Sequence, residues 1–231
     1  MKLDIVIPTL NERKNLQELL PYLRDNSPHT CTNITVVDSV LSDDNTNDIC
    51  LQYDTRYIPS DKTQRSHQMN EGGLASKADA ILFLHADVRP APDFYDQIKL
   101  ALTEKYKAGF FSYKFDSDSW LLRINSKTTK SDGWFAGGGD QCQFFDRETF
   151  QAIGGYCYMH KIMEDFEMMG RIRESDIPFK IIDSPALVSA RKYEKNSYLR
   201  VNLINLITFI KYKRNTDTTE LRKFYKKWLK S

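Results

Sequence analysis

The run Leu3-Asp4-Ile5-Val6-Ile7-Pro8-Thr9-Leu10-Asn11-Glu12 decides the fold. Its apolar part, rich in Ile and Val, reads as a β-strand stopped by Pro8, and a polar loop ending in Asn11-Glu12 follows at once. The pattern recurs. Asn33–Val37 (NITVV) is a second β-branched strand ending at Asp38, and Ala80–Leu84 (AILFL) is a buried strand ending at His85-Ala86-Asp87. Asn15–Arg24 carries Leu16, Leu19, Leu20 and Leu23 at helical spacing. Further helices are expected over Asp44–Tyr53, over Arg65–Ser76 despite Gly72-Gly73, and over Asp93–Lys105 behind Pro92. Strand and helix alternate, so the fold class is α/β: a mostly parallel sheet flanked by helices. Such sheets bind ligands at the carboxyl ends of their strands. Asn11-Glu12, Asp38 and His85-Ala86-Asp87 should therefore face one crevice.

The second half is less regular. Gly109–Phe115 reads as a strand, Ser119–Thr129 as a helix and Ser131–Gly139 (SDGWFAGGG) as a Gly-rich loop. Gln141–Phe145 reads as a strand, Arg147–Ile153 as a short helix stopped by Gly154-Gly155, and Met163–Glu174 as a helix. Two amphipathic helices, Ser197–Lys213 and Thr218–Leu229, complete the 231 residues. No repeat or linker divides them, so one domain is expected.

Composition narrows the class. Hydrophobic residues at 41% and charged residues at 28% exclude disordered, collagen-like and low-complexity chains. The most apolar stretch, near Val201–Ile210, is half the length of a membrane span. The first ten residues lack the apolar core of a secretory signal. Cys31, Cys50, Cys142 and Cys157 form no CxxC pair, which suggests neither a zinc site nor a disulfide framework. A reduced, cytoplasmic protein is expected, with no nucleic-acid partner. The net charge of +2 hides an asymmetry: from Arg191 onward twelve Lys and Arg residues face only Glu194, Asp217 and Glu220.

Several polar clusters offer chemistry. Asp87 at a strand tip, with a diphosphate as co-ligand, would make a Mg²⁺ or Mn²⁺ site; it would serve equally as a cap of the turn before Arg89-Pro90. Glu164-Asp165 suits the positive end of a helix dipole, and a carboxylate there can also take a proton from an attacking hydroxyl. Arg65, at the start of the helix expected over Arg65–Ser76, can pair with phosphate at a helix N-terminus or simply be solvated. Asp38 can receive a base N–H or ribose hydroxyl, or cap the next helix. Arg191 can hold a leaving diphosphate or lie on the surface. Trp134 and Phe135 can stack on a sugar or pack as a lid. The four histidines form no HxxH or HExxH pattern.

In combination these segments resemble a family 2 glycosyltransferase of the GT-A fold, a Rossmann-like architecture. Ile5–Glu12 resembles that family's apolar strand followed by P-x-x-N-E, Val36-Val37-Asp38 its second strand with a base-reading acid, and Leu82–Asp87 its DxD-type metal motif. Met163-Glu164-Asp165 resembles its ED motif. The match is closer to one bacterial subgroup with a GRAxQMN-like segment (Gln64–Asn70), FLHAD (Phe83–Asp87), GDQ (Gly139-Asp140-Gln141), MED and a SARRW-like run (Ser189–Tyr193). Three departures stand out. Asp38 is followed by Ser39-Val40-Leu41-Ser42-Asp43-Asp44 rather than a Gly-rich loop, His85 replaces the first acid of DxD, and Gln64 and Ser66 flank Arg65.

The resemblance implies inverting transfer of a sugar from a nucleotide-diphosphate sugar to an acceptor hydroxyl of a sugar, lipid or small molecule. Residues 1–107 would form the nucleotide-binding half, 108–190 the acceptor and catalytic half, and 191–231 the basic C-terminal helices. Asp165 would be the catalytic base and Glu164 its partner. Pro8, Leu10, Asn11, Glu12 and Asp38 would line the nucleoside site; Gln68 would join the donor site, and Arg65, Arg191 and Asp87 its diphosphate. Asp87 and His85 would hold Mg²⁺ or Mn²⁺. Trp134, Asp140 and Gln141 are expected on the acceptor side. The basic helices would pack on the domain or touch the inner face of the cell membrane. A catalytically degenerate nucleotide-binding or membrane-docking scaffold of the same fold is the alternative. A dinucleotide-binding oxidoreductase is disfavoured, because G-x-G-x-x-G is absent after the first strand.

Overall fold

A computed structural model describes residues 1–133, 136–138 and 141–229. Its first half follows the expected alternation. Strands β1 (Leu3–Thr9), β2 (Thr32–Ser39), β3 (Arg56–Ser60) and β4 (Ala80–Phe83) enclose helices α1 (Arg13–Asp25), α2 (Thr46–Gln52) and α3 (Arg65–Leu74). All three pairings among these strands are parallel. β1 does not stop at Pro8 but runs through it to Thr9. The Val6 carbonyl accepts from Leu84 N–H on the β4 side. Alternation turns Pro8 to that same side, where pairing with β4 has already ended at Phe83, so its missing N–H breaks no ladder bond.

Beyond β4 come β5 (Val88–Arg89), α4 (Phe94–Thr103), β6 (Ala108–Phe115), α5 (Trp120–Lys127), β7 (Phe144–Asp146), α6 (Arg147–Ala152), α7 (Glu164–Glu174) and β8 (Phe179–Val188). The eight strands order as β3-β2-β1-β4-β7-β6-β8-β5. β7 is antiparallel to both β4 and β6, β5 is antiparallel to β8, and β6 pairs parallel with β8. Sequence reading misses β8, because Asp183-Ser184-Pro185 interrupts its apolar run. The register shows how the sheet tolerates it: pairing passes from Phe111↔Ile182 to Tyr113↔Ala186, so the interruption lies in an irregularity of the ladder.

Both sheet faces are covered. Leu3, Ile5 and Ile7 of β1 point into one core with Leu16, Leu19, Leu20 and Leu23 of α1 and Phe94 and Ile98 of α4. Val6 points the other way, into a core with Met69 of α3, Phe150 of α6 and Met168, Met169 and Ile172 of α7. Gly72-Gly73, unfavourable as helix formers, let α3 lie flat on the sheet. A Cβ on Gly72 would run into the Val6 side chain, and one on Gly73 would sit 2.7 Å from Phe150 and 2.8 Å from Phe83.

The C-terminal segment forms α8 (Arg191–Lys195), α9 (Tyr198–Lys213) and α10 (Thr218–Trp228). Ser197 caps α9 by accepting from Arg200 N–H, and Asp217 caps α10 by accepting from Thr219 and Glu220. α9 and α10 pack through Val201, Ile204, Leu229, Phe224 and Tyr225. They also return to the domain: Phe209 meets Phe166 of α7 edge-on at 5.6 Å, and Thr218 Oγ1 donates to the Met159 carbonyl. Among the described residues no helix is long and apolar enough to cross a membrane.

Candidate active site

The parallel strands deliver their carboxyl ends to one edge, and the predicted acids arrive there together. At the tip of β2, Asp38 is 1% exposed. Its Oδ1 accepts from Thr9 Oγ1 at 2.7 Å and Ser42 Oγ at 2.8 Å, and Oδ2 faces Tyr57 Oη at 3.4 Å. Burial raises its pKa above the ordinary carboxylate range, against the lowering effect of the Thr9 and Ser42 hydroxyls. The non-glycine loop after Asp38 is ordered by ties to the β1 loop. Asn11, in the left-handed region at φ 58°, donates its N–H to Ser42 Oγ, and its Oδ1 accepts from Asp43 N–H. Leu10, Val40 and Leu41 are left exposed on that rim, while Pro8 is buried in the strand.

Gln68 lies below this rim rather than on it. Its buried amide donates to the carbonyls of Thr9 at 2.7 Å and Val37 at 3.1 Å, clamping the tips of β1 and β2 to α3. It sets the position of the predicted nucleoside wall without facing the crevice.

Asp87 follows β4 on the crevice surface. Arg191 Nη2 at the start of α8 stands 4.0 Å from Asp87 Oδ2. A cavity of about 190 Å³ joins Asp87 to Ser189, Arg191, Lys192 and Lys195. Glu12 lies near enough that Asp87 raises its carboxyl pKa, an effect added to the larger one of burial and offset by Asn15 and Arg191. A carboxylate beside a second acid and three cations suits a divalent ion carried on a diphosphate, since hard cations keep phosphate oxygens as ligands and relieve acid–acid repulsion. Among the described residues no group of three or more His, Cys, Asp or Glu side chains could hold a metal by itself. His85 stands beside Arg65: its Nε2 lies 3.4 Å from Arg65 Nη1, and a guanidinium only donates, so that nitrogen is the acceptor in this contact.

Arg65 opens α3, and its Nε reaches Glu164 Oε1 at 2.9 Å. The Glu164 side chain is 3% exposed, and its Oε2 is buried with no hydrogen-bond partner among the described residues. Glu164 is therefore an anchor behind Arg65 rather than a group presented to the cavity. Its neighbour Asp165 does face the cavity. Met163, left-handed at φ 66°, turns the chain sharply into α7 just before the two acids. Gln143 braces the turn from below. It donates to the backbone carbonyls of Gly137 at 2.6 Å and Asp165 at 3.1 Å and accepts from Tyr156 Oη at 2.8 Å.

Asp165, Arg65 and His85 share a cavity of about 600 Å³, within the range of small-molecule sites. Its far wall was not expected: Asn202, Asn205, Leu206 and Phe209 of α9, with Tyr225 of α10 and Lys192 and Tyr193 of α8. Lys192 Nζ donates to Tyr225 Oη at 2.8 Å, which donates to Asn205 Oδ1 at 3.0 Å, so one hydrogen-bonded chain links the three helices. Asparagines in a largely apolar helix gave no signal at the sequence level. Gln141 lines the cavity, but its amide is engaged: Oε1 accepts from Gly137 and Gly138 N–H, and Nε2 donates to the carbonyls of Phe111 and Thr129. Trp134 and Asp140 lie outside the described residues.

The architecture defines the class first: a mixed α/β domain of the GT-A type. Across 99% of this chain it is similar to the Staphylococcus aureus TarS fragment 1–349, at TM-score 0.67 and 14% identity, spanning 70% of that chain. It spans 43% of the longer TarS chain. A Pyrobaculum calidifontis mannosyltransferase solved with GDP-Man and Mn²⁺ is similar at TM-score 0.67 and 16% identity, over 90% of this chain and 61% of that one. Glucosyl-3-phosphoglycerate synthase of Mycobacterium tuberculosis, solved with Mn²⁺, UDP and glucosyl-3-phosphoglycerate, follows at TM-score 0.58 and 14% identity, over 91% of this chain and 79% of that one. A search of curated protein sequences returned no match. The family model described as glycosyl transferase family 2 matches residues 4–165. The chain belongs to glycosyl transferase family 2.

Proposed function

We propose that this protein is an inverting, metal-dependent hexosyltransferase of the bacterial FLHAD/GDQ/MED subgroup, moving a sugar from a nucleotide-diphosphate sugar to an acceptor hydroxyl. One observation carries the reading: Asp165 faces the same cavity as Arg65 and His85, and that cavity shares Tyr113, Lys192, Tyr193 and Asn205 with the cationic pocket around Asp87. A base and an anion site in one crevice are what displacement of a nucleoside diphosphate requires. The GDP-Man and UDP complexes of similar folds support a donor of that class.

Each residue's part follows from its place. The nucleoside lies over the rim of Leu10, Asn11, Val40 and Leu41, which Asp38 orders from beneath; Pro8, Glu12 and Gln68 hold that rim. Arg191, Lys192 and Lys195 neutralise the diphosphate, and Arg65, fixed by Glu164, guards the sugar side. Asp87 would hold Mg²⁺ or Mn²⁺, which supplies Lewis-acid compensation of the leaving group's charge. Asp165 takes the acceptor proton as the hydroxyl attacks the face opposite the nucleotide. Gln141 lines the cavity on the side where the acceptor would enter, and Trp134 and Asp140 are kept as acceptor residues on the sequence resemblance alone. The reading places the enzyme in the cytoplasm, with its basic C-terminal helices toward the inner face of the membrane.

Calorimetry with UDP, GDP and their sugars, with and without Mn²⁺, tests it. Mn²⁺-dependent binding of one nucleotide series is expected, and Asp87→Ala should weaken it at least about tenfold, the loss of a charge-assisted ligand. Unchanged affinity in Asp87→Ala would remove that residue from the site. Absence of binding in the wild type would favour the degenerate, membrane-docking scaffold.

A further inference from the structure

Helix α9 carries two adjacent working faces. One is the cavity wall of Asn202, Asn205, Leu206 and Phe209. The other is a stripe at i, i+4, i+7, i+11 spacing: Leu199, Leu203, Leu206 and Ile210, at 78%, 56%, 43% and 42% exposure. The stripe runs about 16 Å along the helix at 1.5 Å per residue. Leu206 belongs to both faces, so the exposed apolar surface runs into the cavity without a polar break.

The surroundings select an occupant. Arg200, Lys211, Lys213 and Arg214 sit on α9 and at its end, and Arg222, Lys223, Lys226 and Lys227 on α10, against Asp217 and Glu220 alone. Trp228 is exposed beside them, its carbonyl accepting from Arg200 Nε at 2.9 Å. An exposed apolar stripe on a strongly basic helix pair, with an exposed indole beside Arg200, is the pattern of a helix lying on an anionic bilayer. Inside the cavity, Asn205 uses its carbonyl on Tyr225, and among the described residues no partner takes its Nδ2. That donor suits a hydroxyl-bearing head group.

We propose that the acceptor is a hydroxyl-bearing amphiphile drawn from an anionic membrane, with the α9 stripe resting on the acyl region and the head group entering over Leu206. This rests on the transferase reading. The head-group oxygen bonds to the anomeric carbon and its proton passes to Asp165. The anomeric C–O bond to the diphosphate breaks, and its electron pair leaves on the nucleoside diphosphate.

The test pairs vesicle partition with donor hydrolysis. Wild-type protein should sediment with phosphatidylcholine vesicles holding 30% phosphatidylglycerol at least tenfold more than with pure phosphatidylcholine, and less as salt rises. The doubly substituted Leu199→Glu, Leu203→Glu protein should lose that partition at least tenfold while hydrolysing donor at the wild-type rate. In saturation-transfer NMR below the critical micelle concentration, octyl β-glucoside should saturate at a concentration at least tenfold below that of methyl β-glucoside. Equal sedimentation with neutral vesicles, a substituted protein that partitions like wild type, or equal saturation by the two glucosides would overturn the proposal. So would a wild-type dimer that the substitutions dissociate, since the stripe would then serve a second copy. Vesicle binding without donor hydrolysis in the wild type would strike the transferase reading instead.

Discussion

Asp38 shows how a residue named for ligand recognition can first be a structural element. It is sealed, and two hydroxyls from different loops converge on one of its oxygens. Burial raises the folded pKa above the unfolded value near ~3.9. For such an acid the contribution to stability is fully present below the unfolded pKa and is lost as pH rises through the folded one. Asp38→Asn cannot charge. Relative to wild type it should therefore gain stability between pH 4 and pH 7 in urea melts; a difference that does not change with pH would show that the carboxylate carries no strain. Asp38, Asp87 and Asp165 stood out in the sequence as candidate positions because each sits in a short ordered motif. What they touch did not. Gln68, Glu164 and Gln141 also sit in such motifs, yet their polar groups face inward, and a sequence does not say whether an amide points at a ligand or at a carbonyl of its own chain.

Elements were most legible where apolar period and length agreed. α1, β2 and β4 fall within two residues of their expected bounds. β8 was hidden by Asp183-Ser184-Pro185, because a ladder irregularity leaves no periodic trace. α3 was expected despite Gly72-Gly73, and the structure turns that apparent weakness into a requirement. The helix needs both glycines to lie flat on Val6, Phe83 and Phe150. Gly72→Ala would gain helix propensity of about 1 kcal/mol but force a methyl into Val6, with overpacking costs of about 1–3 kcal/mol. A net loss of up to about 2 kcal/mol is expected, read as a lower denaturation midpoint at unchanged slope. A stabilised variant would mean that α3 stands further from the sheet.

Across the whole molecule, separate segments build one crevice. The parallel half supplies Asp38 and Asp87 at strand tips, α3 supplies Arg65, and α7 supplies Asp165. The C-terminal helices, which sequence offered as surface packing or a membrane contact, supply the far wall of the cavity that Asp165 faces. Their role was illegible because Asn202, Asn205 and Tyr225 lie hundreds of ångströms of extended chain from strand β1, and only folding brings them opposite Asp165. The small net charge is likewise an average over net acidic residues 1–190 and a basic C-terminal segment. The proposed function turns on Asp165 as the group that would receive the acceptor proton. The direct measurement is nucleoside diphosphate release from UDP- and GDP-sugars in Mn²⁺, followed for wild type and Asp165→Asn together with donor Kd. Loss of a general base predicts a fall in kcat of about 10²–10⁴ with Kd within about threefold, since a uniform binding role would move Kd instead. Turnover by Asp165→Asn at the wild-type rate would contradict it.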